Sequence, residues 1–178
     1  MKSNVINIDN RGNGFDKALE ETGNVAEYEK LSHKESLHLQ LCAEEMLSLA
    51  RSVTGEMKAS FWIETEECRF DLHMTTETVM DKEKRSLLLA ASTTGKNEAA
   101  KSFLGQLRDA FEQAMAAEVN HNNDLPEDLL DDLSNRVIEC TDPEWDGYEQ
   151  STLRRLADSI RIGIRGKTVD MTVSVKFA

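Results

Sequence analysis

The sequence lacks long apolar runs and is poor in proline, and both features limit the class of protein to which it can belong. No stretch approaches the roughly 18 consecutive apolar residues of a membrane-spanning helix, and the opening MKSNVINIDN contains no apolar signal core. Only 2 of the 178 residues are proline, while 39% are hydrophobic and 30% charged, which is typical of a globular protein. We therefore predict one cytoplasmic domain over residues 1–178 and no membrane partner.

Basic residues are the minority charge, with 21 Lys and Arg against 33 Asp and Glu and a formal net charge of -12. Such a balance repels phosphate backbones unless a strong basic patch overcomes it. The densest basic groups, around Lys84 and Arg154, stand among carboxylates or on helix surfaces. The composition therefore predicts no nucleic-acid partner.

Cysteine and histidine are both sparse and widely spaced. Cys42, Cys68 and Cys140 form no CxxC pair, a pattern that favours reduced thiols over a disulfide framework. The histidines have none of the spacings of a tetrahedral zinc site. They are His33, His38, His73 and His121. We therefore predict no metal site.

Two amphipathic segments predict helices in the first third of the chain. A polar helix is expected from Phe15 towards Leu31, with Gly23 interrupting it. Ser32 with Glu35 three residues later forms a capping box that opens a second, long helix. Its buried stripe is expected to consist of Leu39, Cys42, Met46, Leu49 and Val53.

Period-two alternation predicts two β-hairpins. One runs from Ala59 to Met74 around a turn at Glu66 and Glu67, and the other from Ile160 to Phe177 around Arg165-Gly166-Lys167. The alternation leaves one face of each strand polar and exposed to solvent. It therefore predicts an α/β fold, more strictly an α+β two-layer sandwich, in which helices cover one face of a mixed or antiparallel sheet. Residues from about 118 to 148 are expected to be an elaboration of this domain.

The long helix carries the residues Leu41–Leu49, LCAEEMLSL. This segment is similar to the helix of histidine-kinase-like (GHKL) ATPase domains that reads E-x-x-x-N. The predicted element order, helix, hairpin, glycine-containing loop before another helix, and closing hairpin, resembles the same family. The resemblance implies a Bergerat-like sandwich, and in size the chain looks closest to the family's bacterial anti-sigma-factor type.

The resemblance also implies site residues. In that family the glutamate prepares a water and the asparagine holds magnesium; Glu45 takes the glutamate position, while Leu49, without an oxygen for magnesium, takes the asparagine position. If Glu44 is the glutamate instead, Ser48 falls at the magnesium position. The family loop D-x-G-x-G should follow Met74, where TTETVMD contains no glycine. Its last residue, Asp81, would stand for the aspartate that recognises adenine.

The segment Thr94-Gly95-Lys96 falls where the family has its lid over the triphosphate. A helix that begins here would offer exposed N–H groups and its dipole to a phosphate. The other interpretation is a plain helix start with Lys96 solvated.

Two functions are weighed from these residues, and a structural component without a small ligand is a third possibility that the sequence does not separate from the first. The missing asparagine and glycines predict a degenerate family member that works as an anti-sigma-factor-like regulatory binding module, with a protein partner or as a homodimer, and without a cofactor. The alternative is an ATP-binding serine kinase or ATPase with Mg-ATP as cofactor, Glu45 as base and Lys96 on a phosphate.

Overall fold

The structure is a computed structural model that describes residues 1–9, 13–54, 58–100 and 152–177. Within these ranges the structure contains the helices α1 (Phe15–Tyr28), α2 (His33–Thr54) and α3 (Lys82–Ala91). Its strands are β1 (Ile6–Ile8), β2 (Ala59–Glu66), β3 (Arg69–Glu77), β4 (Ser159–Arg165) and β5 (Thr168–Lys176). A 3₁₀ turn at Glu98–Ala100 follows α3, and residues 152–156 are helical.

The five strands form one antiparallel sheet in the order β1-β2-β3-β5-β4. Both predicted hairpins are present as β2 with β3 and as β4 with β5. They are joined by β3 and β5, which pair over nine residues from Arg69 opposite Lys176 to Glu77 opposite Thr168. The predicted α+β sandwich is confirmed, and the sheet is antiparallel.

The core lies between the sheet and the helices. Ile63, Leu72, Val173 and Ile160 stand opposite one another across four strands, and each is at most 1% exposed. Helix α2 packs against β5 and against both other helices. The stripe predicted for α2 is buried, which confirms the helical period of the sequence. Its members are Leu39, Cys42, Met46, Leu49 and Val53.

Helix α2 begins with the predicted capping box. The Glu35 carboxylate accepts from the Ser32 backbone N–H at 2.8 Å, and the Ser32 hydroxyl accepts from the Glu35 N–H at 3.4 Å. These bonds satisfy backbone donors that the first turn of a helix leaves unpaired. The Ser32 hydroxyl also donates to the Glu35 carboxylate, and this bond, followed by the one from the Ser32 backbone N–H, lowers the pKa of Glu35.

The prediction that Gly23 interrupts the first helix is wrong, because α1 runs unbroken through it. A Cβ at Gly23 would lie 3.3 Å from the Gln40 side-chain nitrogen of α2. The missing side chain therefore permits close packing of α1 on α2. That tertiary contact outweighs the low intrinsic helix propensity of glycine.

The elaboration predicted at about 118–148 lies outside the described ranges, and so does any part beyond residue 100 of the helix predicted after the Gly95 loop. Among the residues that are described, no helix combines the length and apolar character needed to cross a membrane.

Gly14 connects β1 to α1 at a point where two backbones nearly touch. It has φ 97°, and a Cβ there would lie only 2.3 Å from the Asn7 carbonyl oxygen. Gly95 also has a positive φ, 66°, but a Cβ there would have no atom within 4 Å. The two glycines thus share a left-handed backbone and differ in the space around them.

We expect Gly14→Ala to cost on the order of 3 kcal/mol of unfolding free energy, because backbone strain adds to a clash with another strand. Gly95→Ala, with strain alone, should cost about 1–2 kcal/mol. Urea denaturation of both variants measures the difference. Equal losses would show that the contact with Asn7 does not constrain the position.

Candidate functional site

The α2 segment singled out by the family resemblance faces the core with one side. Leu49 is 2% exposed and belongs to the hydrophobic core, whereas Glu45 and Ser48 are half-buried. At the position where the family resemblance expects a magnesium ligand, the helix therefore presents an alkyl side chain to its own core. Magnesium requires oxygen ligands, so Leu49 cannot fill that role.

The environment of Cys42, on the same helix, is unfavourable for a negative charge. Burial raises the pKa of the Cys42 thiol to about 12, and the carboxylates of Asp158 and Glu45 add to the effect. A thiol with such a pKa is protonated at neutral pH, and nucleophilic chemistry needs the thiolate. Cys42 is accordingly a core side chain, and Cys68 is a second free cysteine, exposed in the first hairpin.

Asp81 is the N-cap of α3. Its side chain accepts a hydrogen bond from the Lys84 backbone N–H at 2.8 Å, and this bond is of the kind that Asp, Asn, Ser and Thr supply at helix starts. The aspartate that the family resemblance assigns to adenine therefore has a structural task in this chain.

The loop with Thr94, Gly95 and Lys96 is exposed, but its N–H groups are engaged. The Gly95 N–H donates to Ser92 Oγ at 2.9 Å, and the Lys96 N–H donates to Thr94 Oγ1 at 3.3 Å. Up to residue 100, where this described range ends, no α-helix starts at the loop; a 3₁₀ turn at Glu98–Ala100 follows it. The two backbone donors suggested for a phosphate are thus used by neighbouring hydroxyls.

Both ends of this loop are attached to β4, the last strand of the described sheet. The Thr93 backbone N–H donates to the Ile160 carbonyl at 2.9 Å. The Thr93 hydroxyl accepts from the Ile160 N–H at 2.7 Å. The Asn97 amide bonds both backbone groups of Ile164, at 2.8 and 2.9 Å. Thr93 and Asn97 thereby satisfy backbone N–H and C=O groups of β4 that a further strand would otherwise pair.

A cleft of about 790 Å³ lies at another place, where β1, β2 and β3 meet the start of α1. Residues of both charges line it, among them Lys17, Lys58, Asp9 and Glu77. None of the site residues that the family resemblance implies is among the residues that line it. No sequence motif marks this cleft, because the approach of Gly14 to Asn7 is a tertiary contact.

The sheet face turned away from the core carries a polar cluster. Trp62 stacks on His73, its partner on β3, with ring centroids 5.1 Å apart and an angle of 10°. The indole N–H donates to Glu64 Oε1 at 3.1 Å. The Lys2 ammonium lies 3.1 Å from the same oxygen and 4.8 Å from the indole centroid. His73 and Lys2 thus cover part of the Trp62 ring.

The charges in this cluster follow from its geometry. Hydrogen bonds from Lys2 and then Trp62 lower the pKa of Glu64, which keeps its carboxylate ionised. Burial is the main cause that lowers the pKa of His73, so its ring is neutral at pH 7. His73 Nε2 is buried without a hydrogen-bond partner, and it lies 3.7 Å from Glu64 Oε2.

No group of three or more His, Cys, Asp or Glu side chains suited to a metal ion occurs in the described ranges. A scan against protein-family models finds no match for the chain, and a search of the curated proteins finds none either. The candidate sites are therefore defined by geometry alone. They are the α2 face with the Gly95 loop, the cleft beside α1, and the cluster around Trp62.

We expect Asn97→Ala to lower the unfolding free energy by about 1–3 kcal/mol, because it leaves the buried backbone groups of Ile164 without partners. The Ile164 amide should also exchange with solvent at least about tenfold faster. Lys96→Ala, one residue earlier and exposed, should stay within about 0.5 kcal/mol of the wild type. Urea denaturation and hydrogen exchange measure both effects, and a protected Ile164 amide in Asn97→Ala would contradict the role of Asn97.

Proposed function

We propose that this chain is a degenerate histidine-kinase-like ATPase-fold protein that works as a regulatory protein-binding module, in the manner of the anti-sigma factors it resembles. The main support is the position of Leu49. This side chain is 2% exposed and lies in the core, at the position where the resemblance expects a magnesium ligand. A side chain that stabilises the core is not free to be exchanged for a metal ligand without a cost in stability.

The other nucleotide positions support the same proposal. Asp81 caps α3, and the N–H groups of Gly95 and Lys96 already have acceptors. The loop itself is attached to β4 through Thr93 and Asn97. A lid that closes over a triphosphate would have to give up these bonds.

The sheet topology is compatible with the proposed kinship. Kinship with the family requires that the two hairpins belong to one sheet, and β3 pairs with β5 along its whole length. Separate hairpins would have excluded it. The fold thus agrees with the resemblance while the motifs that handle nucleotide are altered.

A surface for protein contact is present on α2. Leu37 and Leu41 are 52% and 38% exposed and lie one helical turn apart. Residues at i and i+4 share one face of a helix, so the two leucines form an apolar pair on the side opposite the buried stripe. Burial of such side chains against another protein would stabilise the contact through the hydrophobic effect.

Calorimetric titration with Mg-ATP distinguishes this proposal from the alternative kinase or ATPase. We expect no binding heat at millimolar ligand, because no oxygen ligand stands at position 49. Binding that is lost in Glu45→Ala or in Lys96→Ala would contradict the proposal and favour an ATP-dependent enzyme with Glu45 as base. Arg165→Ala, an exposed change on another element, serves as the control for these variants.

Self-association or partner binding should depend on the leucine pair. We expect the double variant Leu37→Glu and Leu41→Glu to weaken association at least about tenfold, because two apolar side chains lose their burial and gain charge. Sedimentation equilibrium measures the dimer, and surface binding to a captured partner measures the complex. Val79→Glu, at a residue 72% exposed, is the matched control.

A wild-type protein that is monomeric at about 100 µM and binds no partner would contradict the proposal.

A further inference from the structure

An ammonium group is held on the outer sheet face by one aromatic ring and one carboxylate. The Lys2 Nζ atom lies 4.8 Å from the centroid of the Trp62 ring and 3.1 Å from Glu64 Oε1. The face of an indole attracts cations through its quadrupole, and tryptophan is the strongest side chain in this respect. A ring and an ionised carboxylate together make a binding site for a cation.

Sheet residues hold this site in shape together with Lys2. The Trp62 N–H donates to Glu64 Oε1, which orients the carboxylate. The ring itself stacks on His73, and His73 Nδ1 lies 3.2 Å from Thr172 Oγ1 on β5. Three strands thus fix the orientation of the indole.

The imidazole beneath the indole does not oppose a bound cation. Burial lowers the pKa of His73, against the opposite effect of Glu64 and Asp71, while Arg161 and Lys2 lower it further. The ring is therefore neutral at pH 7. It contributes a flat support for Trp62 without placing a second positive charge in the site.

The ammonium group of Lys2 is held more loosely than the Lys2 backbone. The bridge of Lys2 to Glu64 is flanked by two hydrogen bonds of 2.8 Å to β2, from the Ser3 N–H to the Ile63 carbonyl and from the Thr65 N–H to the Met1 carbonyl. The Lys2 side chain, in contrast, is 55% exposed and that of Glu64 46%. An exposed ion pair and an exposed cation–π contact each change an equilibrium constant by about fivefold or less. Another ammonium group can therefore replace Lys2 at little cost.

We infer that Trp62 and Glu64 form a receptor for a lysine side chain of a basic protein segment, and that Lys2 occupies this receptor until such a segment displaces it. The net charge of -12 attracts a basic partner. A lysine fits because its alkyl stem can lie along the indole while its ammonium reaches the carboxylate. This inference rests on the proposed function as a protein-binding module and names the chemistry of the partner.

The probe is a capped tetralysine peptide, titrated at low salt while the indole N–H resonance of Trp62 is followed by NMR. The resonance is assigned with Trp62→Phe. We expect Lys2→Gln to tighten binding about fivefold, because the competing ammonium is gone. Adding Glu64→Gln to that variant should weaken binding about three- to fivefold, because the exposed ion pair is lost while the indole face remains.

The matched control is Glu66→Gln, also placed in the Lys2→Gln background. Glu66 is exposed and lies two residues along β2 on the same face. Its substitution removes the same charge and should change binding less than twofold. A wild-type titration gives a check without any variant, because the Lys2 side-chain resonances should move towards unstructured values as the peptide binds.

Two results would overturn the inference. One is unchanged affinity in Lys2→Gln. The other is an equal loss in Glu66→Gln and Glu64→Gln, which would mean general attraction to an acidic protein. The titration uses no nucleotide and no partner protein, so its failure leaves the Mg-ATP and association tests intact. Nucleotide binding, conversely, would contradict the proposed function without affecting this measurement.

Discussion

The pairing of β3 with β5 is the interaction on which the rest of the structure depends. It joins residues 69–77 to residues 168–176, almost a hundred positions apart, and turns two marginal hairpins into one sheet with a continuous apolar face. Only that continuous face gives α2 a surface to cover. This alignment places Ile63 and Val173 in one buried row across the sheet. It also accounts for the burial of Leu49 and for the outer cluster around His73.

The Gly95 loop, predicted as part of a ligand site, helps to stabilise the edge of the sheet. An exposed edge strand rich in isoleucine invites pairing with other chains. Thr93 and Asn97 satisfy the backbone of β4 at Ile160 and Ile164 and thereby close part of that edge. The same bonds hold the loop in place. Groups that the family resemblance assigns to a ligand thus serve the fold, which is the physical basis for proposing a binding role instead of catalysis.

The two faces of the sheet have different roles. The inner face is apolar and supplies most of the free energy of folding through burial. The outer face gains little from burial, so its side chains are free to carry charge and aromatic surface. Trp62, His73 and Glu64 use that freedom to form an ordered cation site. Leu37 and Leu41 form a small exposed apolar patch on the far side of the helical layer.

The sequence by itself determined the local elements, since alternation and capping depend on backbone geometry within a few residues. The capping box at Ser32, the buried stripe of α2 and both hairpins could all be predicted in this way. The candidate site could be predicted only as residue types, because a motif does not say whether Asp81 or Gly95 is already bonded. Tertiary structure alone decided the strand order, the continuity of α1 through Gly23 and the meeting of Lys2 with Trp62. These depend on contacts between residues far apart in the chain, and no local pattern encodes which distant backbone or side chain will be near.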